Sequence, residues 1–325
     1  MRLLVSGSLA LTAPPSPFPS SSRTRLAGLG LLAATILISA CGGKSNQVKQ
    51  AAPRPDTVAE RMLAMLPQGA QIVVEIDLAR LRANPVVGAL VTRTLDGGAN
   101  LPTDAPLATA DHFVLAAYGV GTAQAATVTL LASKTPIPGT IKVGEGVFAL
   151  GPEAWVGPIE TRAALAEAGA ATAPVAPAEL ITLRDRAMPA GAPGASLRIT
   201  ALLPFDARVA LARQTGLESA PAQLSVWADV VDDFAIVIDA DSVDPGDKAA
   251  KQATQRLVAT IRAALGSLAA EATVRALGLP SSLASARLVA KGTWVRTIIA
   301  IGPAHLKRVV ERAKTLMQPP GDKPS

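Results

Sequence analysis

The sequence predicts an α+β chain of two similar units, each with an antiparallel sheet covered by helices, and three recurrences predict it. Met65-Leu66-Pro67-Gln68-Gly69-Ala70 returns as Ala187-Met188-Pro189-Ala190-Gly191-Ala192, and each is soon followed by an apolar run. QIVVEI, residues 71–76, has its counterpart in SLRITALL, residues 196–203. GPIETRAALAEA from Gly157 returns as GPAHLKRVVERA from Gly302. Both open on proline at the first helical turn, where its missing N–H leaves no bond unmade.

Each element has a local reason. Asp56 to Glu60 opens a helix with Met62, Leu63, Met65 and Leu66 as its buried stripe, and Pro67 stops it. The β-branched run 71–76 follows as a strand, and Asp77 to Leu95 returns to helical spacing broken at Pro85. Phe113–Val120 and Ala126–Ala132 form a hairpin across residues 119–124. Ile141–Leu150 and Ala154–Val156 are expected to form another, closed by a helix over Ile159–Glu167. In the second unit the strands are Ser196–Leu203, then the hairpin Leu224–Val231 with Phe234–Asp239, then Ala286–Ala290 with Trp294–Ile301 around Gly292. The copies differ in the middle, where the second inserts a helical region from Lys248 to Leu279 with a stripe at Leu257, Ile261 and Leu265.

Ahead of both units lies a leader. Arg23 and Arg25 precede thirteen apolar or small residues, Leu26 to Ile38, and then come Ser39, Ala40, Cys41, Gly42 and Gly43. A stretch of that length is short of the roughly 20 residues that span a bilayer and fits a signal-peptide core. Pro14, Pro15, Pro17 and Pro19 stand where a short basic segment is usual, and a misplaced start site accounts for that. Ile38-Ser39-Ala40-Cys41 resembles the lipobox of bacterial lipoproteins. That resemblance implies cleavage before Cys41, acylation of its thiol by diacylglycerol and a further chain such as palmitate, and a place in the cell envelope facing the periplasm or the surface. Gly42 is not the aspartate that retains well-studied Gram-negative lipoproteins at the inner membrane, so the outer membrane is the preferred leaflet. LPQGAQIVVEIDLARL, residues 66–81, resembles the opening of uncharacterised bacterial surface lipoprotein families, and that likeness brings no activity with it.

The expected organisation is a signal peptide over 1–40, a flexible tether over 41–55 and a first unit over 56–170. An Ala/Pro-rich connection with a short helix follows over 171–195, then a second unit over 196–318 and a disordered tail over 319–325. Removing residues 1–40 deletes three arginines and no acid, so the net charge of +6 falls to +3, 28 basic residues against 25 acidic. No run of lysine and arginine interleaved with aromatics remains to track phosphates, so nucleic acid is not an expected partner. With its single cysteine acylated, the mature body has no disulfide, redox pair or thiolate metal site.

Catalytic motifs are not found. His112 follows Asp111 at the head of a strand, His305 lies in the first turn of the last helix, and neither has metal-ligand spacing around it. No GxSxG, GxxxxGK[ST] or GxGxxG motif occurs, and Gly144-Glu145-Gly146 reads as a turn. Asp239, Asp241, Asp244 and Asp247 have the closely spaced oxygens that a hard cation prefers, but the EF-hand pattern fails at its glycine and its last glutamate. A solvated strand-to-helix connection, capped by Asp244 or Asp247, is the simpler reading. Glu75 and Asp77 raise the thought of paired carboxylates, although Asp77 is more simply a helix cap. Trp155, Trp227 and Trp294 are expected in the core or on a sheet surface instead of as sugar platforms. No cofactor is implied. These readings point to a non-catalytic, anchored protein that binds or scaffolds another envelope component. The alternatives are a carrier of an apolar ligand or lipid, and a hydrolase assembled from scattered residues such as Asp111, His112 and a distant serine or acid.

Overall fold

In the computed structural model, the structure describes residues 57–67, 69–95, 107–122, 125–150, 178–215, 220–241 and 250–317. The lipobox at Ile38–Cys41, the tether, Ala154–Val156, the helix over 159–167, Asp244, Asp247 and the tail lie outside them.

Helix α1 (Val58–Ala64) opens on a capping box in which Thr57 accepts from the Glu60 amide and Glu60 from the Thr57 amide. Seven residues are too few for an isolated helix, so this cap and the burial of Met62 and Leu63 hold it. Thr57→Ala is expected to cost about 1 kcal/mol, measured as a shift of the urea midpoint at constant m value. Strand β1 (Ile72–Asp77) runs directly into α2 (Leu78–Ala83), whose first turn is capped by Asp77. Pro85 separates that helix from α3 (Gly88–Leu95), because proline cannot continue the hydrogen-bond ladder.

Strands β2 (His112–Tyr118) and β3 (Ala126–Ala132) form the expected hairpin. The next one departs from expectation. Residues 141–150 are not one strand: β4 (Thr140–Gly144) and β5 (Val147–Leu150) pair with each other across Glu145-Gly146. Gly146 takes φ 64° there, a left-handed conformation that glycine adopts without strain, and Gly144-Glu145-Gly146 is the turn the sequence shows.

The second half repeats the order. Helix α4 (Ala178–Arg184) precedes β6 (Leu197–Leu202), and α5 (Phe205–Thr215), which the sequence reading did not anticipate, follows it. Strands β7 (Gln223–Val230) and β8 (Phe234–Asp241) are the second hairpin. The insertion is three helices, α6 (Ala250–Ala270), α7 (Ala272–Leu277) and α8 (Pro280–Ala284). Strands β9 (Arg287–Lys291) and β10 (Trp294–Ile301) then pair, and α9 (Pro303–Leu316) closes the described chain.

The two similar units are the two halves of one ten-stranded antiparallel sheet, joined where β1 pairs with β6. Its order, β4-β5-β3-β2-β1-β6-β7-β8-β10-β9, reads the same outward from that seam in both directions. Each half contributes its first strand at the seam, then its second and third, then its fifth and fourth. Helices cover both faces instead of one. On the first face α1 and α4 pack Met62, Leu63 and Leu180 against Val73, Val114, Val128 and Leu130. On the other, α2 and α3 cover Ile76, Phe113, Leu131 and Phe148, α5 covers Ile72, Ala201 and Leu224, and α6 covers Ala240 and Val295. Burial on both faces explains why β3 and β7 show runs of consecutive buried residues.

Candidate functional site

The first face changes character at the seam. Its β1 side is apolar, whereas the register sets Glu75 opposite Arg198, Thr200 opposite Ser225, and Ser225 opposite Asp239, all buried. Charges out of water cost several kcal/mol each unless they meet partners. Here the partners of Glu75 and Arg198 come from the segment that joins the halves, the end of α4 and the residue after it, and that of Asp239 from β10.

Arg184, at the last position of α4, donates from Nε to Glu75 Oε1 at 2.7 Å and from Nη2 to Oε2 at 2.8 Å. Arg198 donates to Asp185 Oδ1 at 2.6 Å and to Met188 Sδ at 3.2 Å. Arg296 of β10 grips Asp239 with two bonds, at 2.8 and 2.6 Å, and also donates to the Arg186 carbonyl. The Arg186 guanidinium stacks 3.5 Å from the centroid of the Trp294 ring and lies 3.7 Å from Asp239. At the strand ends, Arg80 of α2 makes two bonds to Asp229, at 2.7 and 2.6 Å, while Ser196 donates to Asp229 Oδ1. Successive side chains thus form a ladder of ion pairs that fastens residues 184–188 across the sheet and ties the halves together.

Environment splits these arginines. Burial alone would lower the pKa of Arg184, but its bonds to Glu75 and the charges of Glu75, Asp185 and Glu60 carry it above the ordinary arginine value. Its neighbour Arg198 is pushed down, first by burial and then by the charge of Arg184. For Arg186, burial and Arg296 together outweigh the pull of Asp239. The bond to Asp229 raises Arg80, and the bond to Asp239 raises Arg296. Guanidinium remains charged across the physiological range in every case. The ladder is therefore a fixed array of paired charges, with Glu75, Asp229 and Asp239 each holding a bidentate guanidinium.

The sequence-derived candidates fall in separate places. Asp77 caps α2, accepting from the Arg80 amide at 2.8 Å, and lies 3.8 Å from His112 Nδ1. Glu75 belongs to the ladder, so the two carboxylates do not act as a pair. His305 meets the Gly278 carbonyl at 2.9 Å and Ser282 Oγ at 3.3 Å, which pins the start of α9 to the insertion. Trp227 is buried and donates to the Gly194 carbonyl, whereas Trp294 lies half-buried under Arg186. The reading of the Asp239–Asp247 cluster as a solvated strand-to-helix connection is corrected at its start: Asp239 and Asp241 both lie in β8, only 3% and 6% exposed. Asp241 accepts from Thr293. Among the described residues, no cluster of three or more histidine, cysteine or acidic side chains is arranged to hold a metal ion. In the same residues no helix is long and apolar enough to cross a membrane.

Sequence reasoning missed the arginines. A usable signal was present, since Arg198 and Arg296 each stand inside a β-branched strand, where an unpaired cation is not tolerated. No protein-family model and no curated protein matches the chain. Among solved structures, crystal form I of TP0453 aligns with 77% of this chain and 96% of its own, at 8% identity and a TM-score of 0.37. Crystal form III of the same protein aligns with 78% and 97%, at 9% identity and a TM-score of 0.39. Similarity at that level carries no argument about fold or function.

Proposed function

We propose that this chain is a membrane-anchored envelope lipoprotein whose body binds or scaffolds another envelope component and catalyses no reaction. The observation that carries the non-catalytic part is the commitment of Glu75, Asp229 and Asp239 to bidentate guanidinium bonds. A general acid or base must exchange a proton with substrate, and a carboxylate held on both oxygens by a guanidinium is poorly placed to do so. The anchor rests on the lipobox at Ile38–Cys41. One acyl chain binds a membrane only marginally, and two or more hold the protein there.

In cells fed an alkynyl fatty acid, wild-type protein is expected to label and to be processed. Cys41→Ala is expected to abolish labelling and leave an uncleaved precursor, and unchanged labelling would remove the anchor from the proposal. His112→Ala tests the hydrolase alternative, because loss of a hydrolytic activity in that variant would overturn the non-catalytic reading. Stability is expected to change by about 1 kcal/mol or less, because the His112 side chain is partly exposed and its contact with Asp77 is long, at 3.8 Å.

A carrier of apolar ligand is the second reading, and one feature favours it. Val74, Leu115 and Ile199 lie side by side at the centre of the second face and are only half-buried, between the areas covered by α2–α3 and by α5. Lipid that co-purifies with the protein and is detected by mass spectrometry would support the carrier over the scaffold.

A further inference from the structure

The sheet ends at β9, which pairs with β10 from Arg287–Ile298 to Lys291–Trp294 and, among the described residues, with no strand on its outer side. A terminal strand presents a row of main-chain donors and acceptors to any chain that can lie alongside it. What surrounds that row is basic. Arg287, Val289 and Lys291 are exposed and point to the first face, alternating along the strand. One strand inward Arg296 stands opposite Val289, and Arg186 lies over Trp294. Among the described residues, these four cations lie near two carboxylates, Asp239 and Asp241, both buried.

We propose that the open edge of β9 adds an extended acidic segment of a partner protein as an eleventh strand. The pattern selected is carboxylate, any residue, apolar, any residue, carboxylate, because Arg287 and Lys291 are four residues apart with Val289 between them. A second copy of this chain fits poorly. Antiparallel pairing of two β9 strands about Val289 would set Arg287 against Lys291, and the opposite edge of the sheet carries Lys142. This inference rests on the binding reading above only in taking the partner to be a protein.

The test uses the full chain and two capped peptides, Thr-Glu-Thr-Val-Thr-Glu-Thr and the same sequence with lysine for glutamate. The acidic peptide is expected to slow amide exchange at residues 287–291, and the basic one is not. Arg287→Glu with Lys291→Glu is expected to weaken the acidic peptide about tenfold or more and to reverse the preference, since two attractions become two repulsions. Equal binding of both peptides, or no slowing at residues 287–291, would overturn the proposal. Slowing there by vesicles of phosphatidylglycerol in phosphatidylcholine, but not by the acidic peptide, would overturn it in favour of a lipid surface. A partner cross-linked in cells at another surface, with residues 287–291 unprotected, would overturn this inference and leave the binding reading standing.

Discussion

Glu75→Ala is expected to destabilise the fold by about 3–5 kcal/mol, the range for removing one partner of a buried ion pair. The cause is the charge left behind. Glu75 is 6% exposed and Arg184 8%, so the guanidinium loses both of its bonds in a place water reaches poorly. Arg198, directly across the seam and itself pushed down by burial and then by the charge of Arg184, loses a compensating carboxylate at the same time. Urea unfolding followed by far-UV circular dichroism measures the cost. Removing both partners separates loss of charge pairing from loss of shape: Glu75→Leu combined with Arg184→Met is expected to cost far less than Glu75→Ala alone. Equal losses would show that the pair contributes only its packing.

Met62→Ala is the second large effect, expected at 2–5 kcal/mol for truncating a buried methionine. Met62 is 0% exposed and sits in the core shared by α1, α4 and the first-face residues of β1 to β5. Helix α1 is short and cannot persist undocked. The variant should therefore show fast amide exchange over residues 58–64 before the sheet itself opens, as expected of a locally unstable unit. If exchange rises uniformly across the sheet instead, α1 is part of the global folding unit and this picture of a locally docked helix fails.

Much of the fold was legible because its signals are local. The hairpins β2–β3 and β7–β8 are β-branched runs separated by turns, and each was placed within a few residues of its observed ends. Asp77 read as a cap because a cap is a contact between neighbours in sequence. IKVGEGVFAL alternates well enough to pass as one strand even though Gly144-Glu145-Gly146 inside it reads as a turn, and Gly146 is where the chain reverses. Helix α5 escaped because Val209, Leu211 and the alanines between them give no clear stripe. Long-range chemistry was not legible at all. Glu75 and Arg184 are 109 positions apart, and Asp239 and Arg296 are 57 apart. The register of the sheet sets Arg296 beside Asp239, and the docking of α4 on the first face brings Arg184 to Glu75. The aspartates at the end of β8 look solvated until Arg296 is seen against Asp239 and Thr293 against Asp241.

The seam also imposes an order of events. Strand β1 is made early in the chain and its hairpin partners follow soon after, but β6 begins only at Leu197, well after β5 ends at Leu150. Chain emerging from its N-terminus can assemble the first half while one side of β1 has no neighbour. During that interval IVVEID is an open, mostly apolar edge, with Glu75 as the charge set within it. A single inward carboxylate on an unfinished edge discourages pairing with a stray strand and waits for the arginines that arrive with the second half. The carboxylate that helps lock the finished sheet thereby also guards the unfinished one.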